Sequence, residues 1–171
     1  GQHFLGIENS GILLEVVLHL GTLLSILLYY RRDIFNLLQG IFKRDADSLH
    51  YTLMVGVATV PAVVVGLLFK SQLELLFLPQ FVPYMLLITG CILIISKFAS
   101  ESPKTMTLKI AILIGCAQVF AMLPGISRSG MTISLALFLG IHRRDAAKFS
   151  FFMAIPILFG AVILKIIKLC T

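Results

Sequence analysis

Long uncharged apolar runs alternate with short charged clusters along this chain. Residues 12–30, ILLEVVLHLGTLLSILLYY, make a first run, close to the roughly 20 residues a helix needs to cross a bilayer. It closes on Tyr29–Tyr30 and Arg31–Arg32, an aromatic and basic pair suited to the membrane–water boundary. Residues 33–50 place Ile34, Leu37, Leu38, Ile41 and Phe42 at helical spacing among charges, the pattern of a short helix lying in the interface. Residues 51–69 form a second, uncharged span in which Pro61 predicts a kink and Thr59 a compensating hydrogen bond. A connector, 70–81, holds Lys70 and Glu74, and a third span runs from Val82 to Ser96. A basic loop from Lys97 to Lys109 follows, and a last span, 149–164, holds Pro156 and leads into Lys165 and Lys168.

Between that loop and the last span, residues 110–141 break the pattern. An apolar stretch at 110–127 is interrupted by Pro124–Gly125, Arg128 follows, and a second apolar stretch runs 131–141. If the side carrying Arg31, Arg32, Lys43 and Arg44 is cytoplasmic, Lys97, Lys104 and Lys109 return to it after the second and third spans. Arg143, Arg144 and Lys148 join them only if 110–141 enters, turns and comes back. That arrangement puts ten of the fourteen basic residues on the cytoplasmic side, as the positive-inside bias requires. Each arm is also too short to span at about 1.5 Å per residue. The sequence therefore predicts a re-entrant hairpin.

Composition agrees. Apolar residues are 58% of the chain and charged residues 13%, against about 45–50% and 25% in soluble domains; mean hydropathy is +1.01. The fold class is all-α: a polytopic integral membrane protein, one transmembrane domain over 1–171. The net charge of +6 flanks apolar runs and lines no stripe, which speaks for topology and anionic lipid and against nucleic acid. Cys91, Cys116 and Cys170 show no metal-site or disulfide spacing. Gly1 brings neither initiator Met nor signal peptide, and Thr171 follows an apolar segment directly; both ends read as internal to a longer chain.

The turn carries the chemistry. It reads Pro124-Gly125-Ile126-Ser127-Arg128-Ser129-Gly130. Non-helical backbone at membrane depth is tolerated only inside protein or beside a wet cavity, and an arginine there costs about 2.5–3.5 kcal/mol on insertion scales. An anion would repay that cost. Gly125 and Gly130 let backbone N–H groups approach a ligand, Ser127, Ser129 and Thr132 add hydroxyls, and a helix starting near Gly130 favours negative charge at its N-terminus. Arg128 offers a planar fork matched to phosphate. The alternative is a kinked hairpin whose arginine binds carbonyls or lipid headgroups.

The segment MLPGISRSGMTIS resembles the signature of the bacterial undecaprenyl-diphosphate phosphatase (bacitracin-resistance) family. LEVVLHLGTLLSILLYYRRDI, TVPAVVVGLLF and FSFFMAIPILFGA resemble further stretches of that family in order, so the resemblance covers essentially the whole chain. It implies an inverted-repeat fold with two re-entrant hairpins and a hydrolase of the bacterial cytoplasmic (inner) membrane. That enzyme converts undecaprenyl diphosphate to undecaprenyl phosphate and phosphate, recycling the cell-wall lipid carrier for peptidoglycan synthesis. It also implies a divalent cation, Mg²⁺ or Ca²⁺, an isoprenoid diphosphate lipid as substrate, and a homodimer as one admissible state. By motif position Arg128, Ser127 and Ser129 are the catalytic candidates, with Gly125, Gly130 and Thr132 around the substrate.

The family's second motif, E-x-x-x-E followed by P-V-S-S-[TS]-G-H, is absent and is expected before Gly1. The acids present do not replace it: Glu8, Asp33, Asp45, Asp47, Glu74, Glu101 and Asp145 lie in or beside loops. Glu15 and His19, at i, i+4 in the first span, read as an interior hydrogen-bonding pair. His3, His50 and His142 read as interfacial. No metal site is expected in this stretch, and without the second motif it is expected to be inactive alone. A polyprenyl-phosphate transporter, or an inactive remnant, remains the alternative.

Overall fold

The computed structural model describes residues 11–69, 80–99 and 104–170. Among them seven α-helices follow in order: α1 (Gly11–Tyr29), α2 (Arg31–Phe42), α3 (Ala46–Leu68), α4 (Val82–Ser96), α5 (Leu108–Phe120), α6 (Arg128–Phe138) and α7 (Arg143–Cys170). The described residues form no strand, only an isolated bridge between Lys104 and Ile141. Most of the expected 70–81 connector, together with Glu8, His3, Glu101 and the Glu15 side chain, lies outside what is described.

Two helices are long and apolar enough to cross a membrane, α3 over 23 residues and α7 over Arg143–Leu164, each with mean hydropathy 2.1 in its most apolar window. Only 22% and 33% of those windows are buried. Their apolar side chains therefore face outward, as Val60, Val64, Leu67, Phe159 and Ile163 do. A soluble protein does not expose such continuous apolar surface; this is the exterior of a helical membrane protein.

Two compact units divide the chain, residues 1–45 with 154–171, and residues 46–153. In the first, α1 buries Val16, Leu23 and Ile26, and the Tyr29 and Tyr30 rings meet edge to face at 4.8 Å. α2 buries none of its residues. It ends at Phe42, short of the expected 50, because Arg44 turns left-handed at φ 57° and the Asp45 N–H returns to the Gly40 carbonyl. That closes the helix and lets α3 begin at Ala46, five residues before the expected span.

In the second unit α3 and α5 touch through small residues. A Cβ on Gly115 would collide with the Ala58 carbonyl oxygen and stand 2.9 Å from its Cα. Ala58 and Ala62 on one helix, Ala111 and Gly115 on the other, make the small-xxx-small faces that let backbones approach in lipid. Met54, Ala58, Ala111, Ile114, Ala136, Leu137, Ile141, Ala146, Phe149 and Met153 form the shared core of α3, α5, α6 and the start of α7. α5 and α6 are the arms of a helical hairpin. The Lys104–Ile141 bridge brings the chain before α5 back beside the chain after α6, so both open ends lie together.

Candidate functional site

The hairpin turns in two steps. The Ile126 N–H donates to the Leu123 carbonyl at 3.2 Å around Pro124 and Gly125, and Gly125 has φ +91°. Proline then glycine with positive φ is the type II turn requirement. A side chain on Gly125 would also meet the Val82 carbonyl oxygen at 2.7 Å and the Met85 Cβ at 2.9 Å, so the first turn of α4 presses directly on it. Ser127 then takes an extended conformation, and its hydroxyl oxygen accepts the Gly130 N–H at 3.1 Å, a serine N-cap. Gly130 is tight for the same reason: a Cβ there would lie 3.0 Å from the Ser127 Cβ.

Thr89 of α4 locks the two steps together. Its hydroxyl donates to the Gly125 carbonyl at 3.3 Å and accepts the Ser127 N–H at 3.2 Å. A second anchor lies below. The Thr132 hydroxyl is 2.9 Å from the Arg128 carbonyl and 2.6 Å from the Ser150 hydroxyl. One hydroxyl has one proton; given to Arg128, it leaves Thr132 to accept from Ser150. Both side chains are buried, and together they fasten the first turn of α6 to α7.

What remains unspent is informative. Arg128 is the first residue of α6 and half-buried, and its guanidinium has no hydrogen bond or ion pair among the described residues. The Ser129 hydroxyl has no partner there either, and the Ser127 hydroxyl has spent a lone pair but not its proton. The N–H groups of Arg128 and Ser129 occupy positions with no intrahelical acceptor. Guanidinium, two hydroxyls and two N–H groups thus belong to one turn at the positive end of a helix. All are donors, which is a set for an anion.

The structure brings Gly125, Ser127, Arg128, Ser129 and Gly130 into one turn and sets Thr132 one helical turn deeper, with its hydroxyl committed to the fold. Thr89 and Ser150 were not singled out from sequence. A lone hydroxyl in an apolar helix ordinarily bonds its own backbone, as Thr59 does to the Val55 carbonyl at 2.8 Å, so nothing local marks one that bonds 36 or 38 residues away. No group of three or more His, Cys, Asp or Glu is placed to hold a metal ion among the described residues. The donors of the turn do not fit a cation.

A family model described as bacitracin resistance protein BacA matches residues 1–171. The chain is 41% identical over 168 residues to an undecaprenyl-diphosphatase of Christiangramia forsetii, covering 95% of this chain and 64% of that protein. It is 36% identical over 165 residues to one of Elusimicrobium minutum, with the same two shares, 95% and 64%. A third, of Methanococcus vannielii, is 38% identical over 156 residues, 88% of this chain and 62% of the relative. The chain therefore spans somewhat under two thirds of the length of these relatives. With its whole length matched, the chain belongs to the bacitracin resistance protein BacA family.

Proposed function

We propose that this chain supplies the anion-binding hairpin of a membrane phosphatase that hydrolyses undecaprenyl diphosphate to undecaprenyl phosphate and phosphate. The site sits in the bacterial cytoplasmic membrane, where the reaction recycles the cell-wall lipid carrier. The names of the relatives support the activity, and one observation carries the site: an arginine at the N-terminus of a helix whose guanidinium has no partner among the described residues, in a turn that also offers hydroxyl and backbone N–H donors.

Phosphoryl transfer leaves the protein little covalent work; catalysis is positioning and neutralisation of charge on the transferring group. The Arg128 fork takes two non-bridging oxygens of the diphosphate. The N–H groups of Arg128 and Ser129 and the Ser127 hydroxyl take further oxygens, and the Ser129 hydroxyl stands nearest to unencumbered. Gly125 and Gly130 act through the turn they permit, and Thr132 acts as a positioning residue for Arg128. A divalent cation, Mg²⁺ or Ca²⁺, belongs to the proposal as cofactor, its ligands lying outside the described residues.

The test is Arg128→Lys in a protein of the relatives' full length, scored as phosphate released per correctly inserted molecule. Lysine keeps the charge but loses the planar fork. Losing a transition-state contact of this kind costs about 10²–10³ in rate, near 2.7–4 kcal/mol. Near-parental turnover would return the arginine to architecture. Translocation of a phosphorylated polyprenol without phosphate release would make the protein a transporter.

A further inference from the structure

Helical spacing puts the apolar residues of α2 on one face, and the structure divides that face into two edges. Ile34, Leu37 and Ile41 form an inner edge and are half-buried. Phe35, Leu38 and Phe42 form an outer edge and are 65%, 49% and 87% exposed. Gln39, Arg32, Lys43 and Asn36 follow next around the helix at about 100° per residue, so the outer edge borders a basic face directly. We propose that this outer edge is a lipid-docking surface, which seats α2 flat in the headgroup layer of an anionic leaflet. The surface is independent of the phosphatase reading.

Position argues for lipid first. Leu24 and Leu28 are exposed on α1, and Tyr29, 81% exposed, closes that helix with the kind of ring that collects at the membrane–water boundary. α2 begins two residues later, and its outer edge continues the apolar exterior of α1. Charge argues next. The side chains of Arg32, Lys43 and Arg44 make no hydrogen bond or ion pair among the described residues, and Arg31 donates to the Leu28 carbonyl at 3.4 Å. Asp33 is the single carboxylate within the helix. Cations beside a phenylalanine edge match lipid phosphates above and methylenes below. A shallow groove of about 440 Å³ between Arg31, Arg32, Phe35 and Asn36 joins the two chemistries.

Area argues against a second copy of the chain. Two phenylalanines, at about 150–250 Å² each when fully covered, and one leucine fall short of the about 800 Å² per partner that a standard interface buries. The same edge is sufficient for an interfacial helix, whose apolar side sinks only about 5–10 Å.

The experiment places a single nitroxide in turn at Phe35, Leu38, Phe42, Asn36 and Gln39, in a protein of the relatives' full length freed of other cysteines. It is reconstituted in vesicles of equal parts phosphatidylcholine and phosphatidylglycerol. Labels at Phe35, Leu38 and Phe42 should meet dissolved oxygen and be shielded from a water-soluble nickel chelate, with Asn36 and Gln39 reversed. Nickel access at every position would stand the helix in water. Shielding of the outer edge from both quenchers would put protein there instead of lipid. Either result overturns the proposal. A fluorophore at Asn36, quenched by spin-labelled phosphatidylglycerol or phosphatidylcholine, then reads the charge preference. Preference for phosphatidylglycerol should fall about fivefold for each charge removed in Arg32→Gln and Lys43→Gln, and it should survive Arg32→Lys. Lys97→Gln with Lys109→Gln, the same change in net charge outside α2, should leave it within about twofold. Equal quenching by the two lipids in the parent would overturn the anionic assignment, and equal loss in both double variants would reduce it to net charge.

Discussion

Thr89 gives one hydroxyl to two backbone groups on either side of the turn. Thr89→Val keeps the volume and removes both bonds, leaving the Gly125 carbonyl and the Ser127 N–H in half-buried surroundings. Interhelical bonds of this kind in membranes are worth about 0.6–1.7 kcal/mol. The expected result is a lower midpoint of thermal inactivation and a fall in turnover at unchanged membrane insertion, with Thr89→Ser restoring both. Loss of insertion alone would make Thr89 a packing residue. Gly125→Ala should be worse. It forces a Cβ into left-handed backbone at about 1–2 kcal/mol and adds the contact with Val82, so turnover should be lost together with the turn. Parental turnover in Gly125→Ala would show that the turn adopts another conformation in the working protein.

Helices were legible in the sequence because lipid as solvent removes the need for an amphipathic stripe: apolar length alone marks them, and Val82–Ser96 stands where the hydropathy placed it. Their ends were less so. The stop at Phe42 depends on Arg44 accepting a left-handed conformation, which nothing in its residue type advertises. The turn was legible in composition, since glycine, serine and arginine at depth have few other uses. Its construction was not, because Thr89 and Ser150 act across 36 to 38 and 18 residues respectively. The hairpin reading itself makes a prediction at this scale. With both open ends joined by the Lys104–Ile141 bridge, single cysteines at Lys109 and Arg143 should react with a membrane-impermeant thiol reagent from the same side, and that side should be cytoplasmic. Labelling from opposite sides would make α5 or α6 part of a full crossing and separate the basic clusters that bridge now holds together.

At the scale of the molecule, the proposed function gives the chain an anion clamp, and among its described residues there is no cluster of metal-binding side chains. Clamp and hydrolysis should therefore be separable. The 171-residue chain, purified and reconstituted alone, should bind a polyprenyl diphosphate while releasing no phosphate above background with Mg²⁺ or Ca²⁺ present. Neutralisation of charge by Arg128 survives in such a chain, whereas proton handling and metal binding need carboxylates the turn does not contain. Binding should weaken in Arg128→Lys, since the lost bidentate contact is made to the ground-state diphosphate as well, and phosphate release should appear only in a protein of the relatives' full length. Steady metal-dependent turnover by the 171-residue chain would overturn this division. It would place the required carboxylates within the sequence, and Glu8, Glu15, Glu74 and Glu101, whose side chains lie outside the described residues, would be the first to replace by glutamine.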